Sequence, residues 1–279
     1  MTAWFITGIS RGLGKALAEA SLRRGDTVIG TVRTSDPGID PGGGTLHLLR
    51  LDIAEAGAAE AAVEEAFRLA GGRLDAVVNN AGYGLLGAIE AATDAEVERL
   101  FAIDVFGPFR VIRAALPHLR AQGGGHIVNV TSIAGRAPSV GAGLYGAAKF
   151  ALEGLSQSLA QEAAPLGIRV TAVAPGAFRT DFLSPHSARH SDRAAGSAVY
   201  GASVGQRIEA FDAMAGRQIG DPARAAEAIL AIVDSEDPPL HLLLGSDALA
   251  RARRQLEAMQ AEMERWSALT LSTDHPAGA

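Results

Sequence analysis

The chain has no cysteine, and only two of its 25 basic residues, Lys15 and Lys149, are lysines. Without cysteine there are no disulfides, zinc–thiolate sites or thiol nucleophiles, and the redox compartment is left open. No apolar run approaches about 18 residues, the length a membrane-crossing helix needs. The N-terminus lacks a basic region followed by an apolar core, so it does not read as a signal peptide. Positive charge is not in surplus either. A net charge of −6 without clustered arginine gives no field for nucleic acid. These absences predict a soluble cytoplasmic protein with neither a membrane nor a nucleic acid as partner.

The remaining composition is that of a globular chain: 48% hydrophobic and 20% charged residues over 279 positions. Short apolar runs at 3–7, 27–32, 46–51, 74–79, 126–131, 169–174 and 240–244 read as strands. Helical patterns at 12–24, 58–70, 94–120, 145–164 and 222–234 alternate with them. That alternation predicts an α/β fold, a single doubly wound Rossmann-like domain over residues 1–245. Its seven-stranded sheet should be mostly parallel and covered by helices on both faces. Residues 183–203 are small and polar, and read as a substrate loop or lid. Residues 247–267 read as one more helix, within a C-terminal extension spanning 246–279.

The segment Trp4-Phe-Ile-Thr-Gly-Ile-Ser-Arg-Gly-Leu-Gly-Lys15 joins the first strand to the first helix. Gly8, Gly12 and Gly14 allow a tight turn that aims backbone N–H groups at an anion. A mononucleotide loop would need four residues between Gly and Gly-Lys, then a hydroxyl for magnesium. Here five residues intervene and Ala16 follows, so the mononucleotide reading fails; the dinucleotide fingerprint G-x-G-x-x-G also differs, with G-x-x-x-G-x-G in its place. An acidic residue at the end of the second strand would accept a ribose 2′-hydroxyl. Val32 and then Arg33 stand there instead, with Arg11 as a second guanidinium. Two cations and no carboxylate suit a 2′-phosphate, and predict NADP(H) over NAD(H). Asp52, after the third strand, could accept the adenine amino group or simply cap the next turn.

Tyr145 and Lys149 are four residues apart on a predicted helix, so both side chains face the same way. A nearby ammonium favours the phenolate and lowers the phenol pKa, which is about 10 unperturbed. Such a pair makes a general acid and base.

With Thr7-Gly-x-x-x-Gly-x-Gly14, Asn79-Asn-Ala-Gly82, Ser132, Tyr145-x-x-x-Lys149 and Pro175-Gly176 in this order, the chain resembles the short-chain dehydrogenase/reductase family. The resemblance runs over nearly its full length. It implies hydride transfer between a nicotinamide cofactor and a carbonyl or alcohol. Tyr145 would be the general acid or base, Lys149 would tune it and hold the nicotinamide ribose, and Ser132 would hydrogen-bond the developing oxyanion. Cofactor contacts are implied for Gly8, Ser10, Arg11, Gly12, Leu13, Gly14, Arg33, Asp52 and Ile53. Others are implied for Asn80, Ala81, Gly82, Pro175, Gly176, Phe178 and Thr180. The Asn80-Ala-Gly82 segment would also stabilise the central sheet and pass near the adenine ribose, and Gly82 would let the cofactor approach closely. The chain looks similar to the hydroxysteroid- and retinol-dehydrogenase-like branch.

One position departs from the family pattern. Asp104-Val-Phe-Gly107 stands where the family has Asn-x-x-Gly, so Asp104 joins the catalytic set as a carboxylate. It should raise the Lys149 and Tyr145 pKa values. Val140, Leu144, Tyr83, Leu85, Phe178, Phe182 and Tyr200 predict an apolar substrate wall, for a hydrophobic ketone, aldehyde, secondary alcohol or steroid-like molecule. His186 and His190 are four apart but lack a third ligand, so no metal is expected. Two alternatives stay open: a non-catalytic dinucleotide-sensing protein on the same fold, and an epimerase or dehydratase. A homo-oligomer, dimer or tetramer, is the expected assembly.

Overall fold

Strands β1 (Ala3–Ile6), β2 (Thr27–Val32), β3 (Thr45–Arg50), β4 (Ala76–Asn79), β6 (Gly125–Val130), β7 (Ile168–Pro175) and β9 (His241–Leu244) form one sheet. The computed structural model describes residues 1–34, 36–184, 187–191 and 198–275; His186 lies outside them. The strand order is β3-β2-β1-β4-β6-β7-β9, and every pairing in it is parallel. The chain builds outward from β1 in one direction, then returns to β4 and builds in the other. The carboxyl ends of β1 and β4 therefore open a crevice at the point where the order reverses.

Both sheet faces are buried, which explains the nearly continuous apolar strands. Successive side chains point to opposite faces, so Trp4 and Ile6 pack with Leu17 of α1 (Gly12–Arg23) and Ile229 of α7 (Pro222–Asp234). Phe5 and Val77 pack on the other face with Phe67 of α2 (Ala58–Leu69), Val111 of α4 (Gly107–Ala121) and Leu159 of α5 (Gly143–Ala163). Each such large side chain contributes roughly 1.5–3 kcal/mol on burial.

Two expectations need correction. The pattern at 94–120 is not one helix. A capping box between Thr93 and Glu96 starts α3 (Asp94–Phe101), a π turn spans Ala102–Phe106, and α4 follows. Pro108 lacks the N–H that a regular turn would donate, and the widened turn carries Asp104 into the interior.

Residues 183–203 are not loop throughout. β8 (Ala188–His190) pairs in parallel with β5 (Gly84–Leu86), fastening this segment beside Tyr83. Both strands are three residues long, too short for a period-2 pattern to register.

A further helix, α6 (Gln206–Met214), carries too weak an apolar periodicity to stand out in the sequence. The C-terminal helix α8 runs from Ser246 to Leu271. Ala248 and Ala252 bury its first turns against Ile133 and Ala137, and the remainder is exposed.

Candidate active site

A cavity of about 720 Å³ opens in the crevice at the carboxyl ends of the central strands. Of the twenty residues predicted for cofactor or catalysis, nineteen line it. Only Gly14 does not. Its role is packing: a Cβ there would sit 2.3 Å from Asn80 Nδ2 and 2.4 Å from the Gly8 carbonyl.

The glycine loop is held from beneath. Asn80 Nδ2 donates to the carbonyls of Thr7 and Gly8, both at 2.9 Å. Thr7 Oγ1 accepts the backbone N–H groups of Asn80 and Ala81 at 3.0 Å. Asn80 thus anchors the cofactor loop, a more specific task than stabilising the sheet. Gly8 and Gly12 have φ of +74° and +61°, and a Cβ on Gly12 would lie 3.6 Å from Thr180 Cβ. Helix α1 starts here with no side-chain cap and no acidic residue in its first turn. Its N–H groups and dipole remain available to an anion such as a pyrophosphate. Arg11 and Arg33 line the same end, as do Asp52 and Ile53. Asp52 Oδ1 accepts the Ala54 N–H, so it does cap the following turn. These features fit a dinucleotide.

At the other end stand Ser132, Tyr145 and Lys149. Ser132 follows β6 and accepts the Ala134 N–H at 3.1 Å. Tyr145 and Lys149 lie on the first two turns of α5, both buried. Lys149 Nζ donates to the Val130 carbonyl at 3.1 Å and lies 3.1 Å from Asp104 Oδ2. Asp104 is fully buried, and its Oδ1 accepts the Tyr83 N–H at 3.1 Å. Gly82 is required by this pair. A Cβ there would come within 2.9 Å of Asp104 Oδ2 and 3.3 Å of Lys149 Nζ.

The electrostatics revise the simple tyrosine–lysine picture. Burial pushes the Tyr145 phenol above its ordinary value; Lys149 and Ser132 pull it down, Asp104 pushes it further up, and the net direction is upward. Lys149 is pulled down by burial, but Asp104, Tyr145 and Glu153 push it net upward. Burial pushes the Asp104 carboxyl up, against the pull of Lys149 and the Tyr83 N–H. The lysine charge is shared with a carboxylate and does not make the phenol more acidic than usual.

Residues 2–191 match the short chain dehydrogenase family. The chain belongs to that family. This short-chain dehydrogenase is 36% identical over 277 residues to oxidoreductase BOA17 of Botryotinia fuckeliana, covering 97% of this chain and 98% of that protein. A solved short-chain dehydrogenase from Streptomyces avermitilis superposes with a TM-score of 0.88 at 37% identity, covering 98% of this chain and 100% of that one. Another, from Sphingobium yanoikuyae in complex with NADPH, has 26% identity and a TM-score of 0.73, covering 100% and 98%. A Burkholderia phymatum relative in complex with NAD, 20% identical with a TM-score of 0.81 over 94% and 95%, shares the fold. This short-chain dehydrogenase is therefore an oxidoreductase of that family's type.

The expected substrate wall is only partly assembled. Tyr83, Phe178 and Phe182 line the cavity, with Phe182 5.5 Å from the Tyr145 ring. Val140 is exposed, Leu85 is buried behind Tyr145, and Leu144 packs with it. Tyr200 donates to Glu90 at the surface. His190 lies 3.9 Å from Asp212; the His186 half of the predicted pair is outside the described residues. The sequence reading missed Arg207, Phe211, Gln218, Asp247 and Arg251, which all line the cavity. They come from α6, α8 and the segment before α7, and no local motif marks them.

Proposed function

We propose that this enzyme is an NADP(H)-dependent reductase or dehydrogenase acting between a carbonyl and a secondary alcohol on a substrate with an apolar body. The observation that carries the reading is the meeting of Ser132, Tyr145 and Lys149 at one end of a cavity whose other end holds Arg11 and Arg33. Their guanidiniums suit a ribose 2′-phosphate, and Val32 and Arg33, not an acidic residue, stand at the end of β2. The bound nicotinamide would supply or accept the hydride at the substrate carbon.

The protein's own task is then proton transfer and charge control. In reduction, Tyr145 Oη gives its proton to the substrate oxygen as negative charge gathers there, and Ser132 Oγ donates a hydrogen bond to the same oxygen. In oxidation the phenolate takes the hydroxyl proton back. Lys149 stabilises the phenolate electrostatically. Tyr83, Phe178 and Phe182 exclude water and hold the apolar body.

The test is a screen of NADPH oxidation over ketones, aldehydes and quinones, with NADH beside it. NADPH should be preferred, and Arg11→Ala with Arg33→Ala should lower that preference by about tenfold or more. A preference for NADH in the wild type would overturn the assignment of the arginines. Cofactor binding without turnover of any carbonyl or alcohol would favour a dinucleotide-sensing role.

We further propose a homo-oligomer joined in part by α8. Leu256, Met259, Met263 and Trp266 are exposed and recur at spacings of three and four, the seam by which two helices pack together.

A further inference from the structure

Away from the glycine loop the cavity changes character. Arg99, Arg189, Arg207, Arg217 and Arg251 line it there, against Asp181 and Asp247 outside the Asp104–Lys149 pair. The whole chain is net negative, at −6, so this cationic lining is local.

Two of these arginines form a built feature. Arg207, Phe211 and Met214 all reach the cavity, because positions i, i+4 and i+7 share one face of α6. Asp247 and Arg251 do the same from the start of α8. Both arginines brace against the segment that leads from Ser132 to Tyr145. Arg251 donates to the Ala137 carbonyl, and the Arg207 stem lies 3.7 Å from where a Gly141 Cβ would be. The Arg207 guanidinium stacks 4.4 Å from the Phe211 ring centroid, which fixes its plane.

Among the described residues neither guanidinium has a carboxylate within salt-bridge distance. Asp247 is a countercharge to Arg251, but it acts from beyond salt-bridge distance, and its Oδ2 accepts the Ala177 N–H at 2.8 Å. Arg207 and Arg251 are each half-buried, and burial, then the neighbouring Arg207 charge, pulls the Arg251 guanidinium below its ordinary value. A third group sharpens the point. Gln218 is 2% exposed and lines the same cavity, and among the described residues neither its amide nitrogen nor its side-chain oxygen has a hydrogen-bond partner. Buried polar groups without partners are rare in folded proteins, and one that faces a cavity can be completed by water or by a ligand that enters it.

We propose that the substrate carries an oxyanion, a carboxylate or a phosphate, at the end of its apolar body, held by Arg207 and Arg251. This rests on the carbonyl–alcohol reading above and narrows its substrate class. Guanidinium forks match both anions, and a charged hydrogen-bonded contact discriminates strongly against a neutral isostere.

The experiment uses the full chain with NADPH. A series of straight-chain methyl ketones of rising length is offered with a terminal carboxylate, a terminal phosphate, and the methyl ester of the carboxylate. The proposal expects kcat/KM for at least one anion to exceed that of the ester by about tenfold or more. In Arg207→Gln and Arg251→Gln, that anion-to-ester ratio should fall toward one, a readout insensitive to general loss of activity. Preference for carboxylate or for phosphate then tells the two sources apart. An ester turned over as well as both anions overturns the proposal while leaving the carbonyl reading intact. If no ketone is reduced, the carbonyl reading fails, and calorimetric titration of the NADPH complex with the same compounds decides the subsite. Tighter binding of an anion than of the ester, lost in the two variants, upholds it; equal binding overturns it.

Discussion

Lys149 Nζ lies 3.1 Å from Asp104 Oδ2 in a site from which Asp104 is wholly excluded from solvent. The ammonium is thus shared between a carboxylate and a phenol, and both Tyr145 and Lys149 are held above their ordinary pKa values. Removing that carboxylate charge should free the lysine to act on the phenol.

Asp104→Asn is therefore expected to lower the Tyr145 pKa. Reduction needs the protonated phenol and oxidation needs the phenolate. The alkaline limb of reduction and the acid limb of oxidation should both move to lower pH. Paired pH–kcat/KM profiles of wild type and variant check this; coincident profiles would refute it.

Gly82→Ala and Gly14→Ala should fail in different ways. The first drives a methyl against Asp104 and Lys149, the second against Asn80 and the Gly8 carbonyl. Overpacking of this kind costs about 1–3 kcal/mol. Gly82→Ala should reduce kcat at least tenfold with a smaller change in cofactor Kd. Gly14→Ala should raise the cofactor Kd by a similar factor and lower Tm. Steady-state kinetics and cofactor titration separate the two.

Gln218→Leu should trade stability against function. The substitution removes two unpartnered buried polar atoms, so Tm should stay level or rise. Substrate KM should rise severalfold, because the amide is lost from the cavity wall. A lower Tm together with unchanged KM would mean that Gln218 serves the fold.

His126 gives a pH dependence of stability. Burial, and then the charge of Arg169, lowers its pKa from 6.5 to about 3. The unfolded chain binds a proton between those values that the folded chain refuses. This group therefore destabilises the fold as pH falls below 6.5, by about 1.4 kcal/mol per pH unit while the difference lasts. Urea unfolding from pH 7 to pH 4 should show a shallower decline in His126→Gln than in the wild type.

The oligomer proposal predicts that light scattering will find more than one copy per particle. Leu256→Glu combined with Met263→Glu should reduce the count without changing the far-ultraviolet circular dichroism of the core. A wild-type monomer would remove α8 as an interface.

The sequence by itself determined the sheet and the cofactor end of the site. Doubly buried strands must be continuously apolar, so β1 through β9 of the large sheet stood out. A glycine loop must use residues adjacent in the chain, and Tyr145 and Lys149 share one helix face. Each of these constraints is local, and local periodicity and spacing record it. The tertiary structure decided what depends on distant segments meeting. Asp104 reaches Lys149 because a π turn breaks a helix that looks regular in sequence. Gly82 is needed for the room that pair takes, and Asn80 is the post beneath the glycine loop. Whether a buried phenol is driven up or down depends on the sum of burial and three charges or dipoles, which spacing alone does not supply. Arg207, Gln218 and Arg251 are scattered over 45 positions with no common pattern, and only the packing of α6 and α8 over one cavity brings them to a common wall.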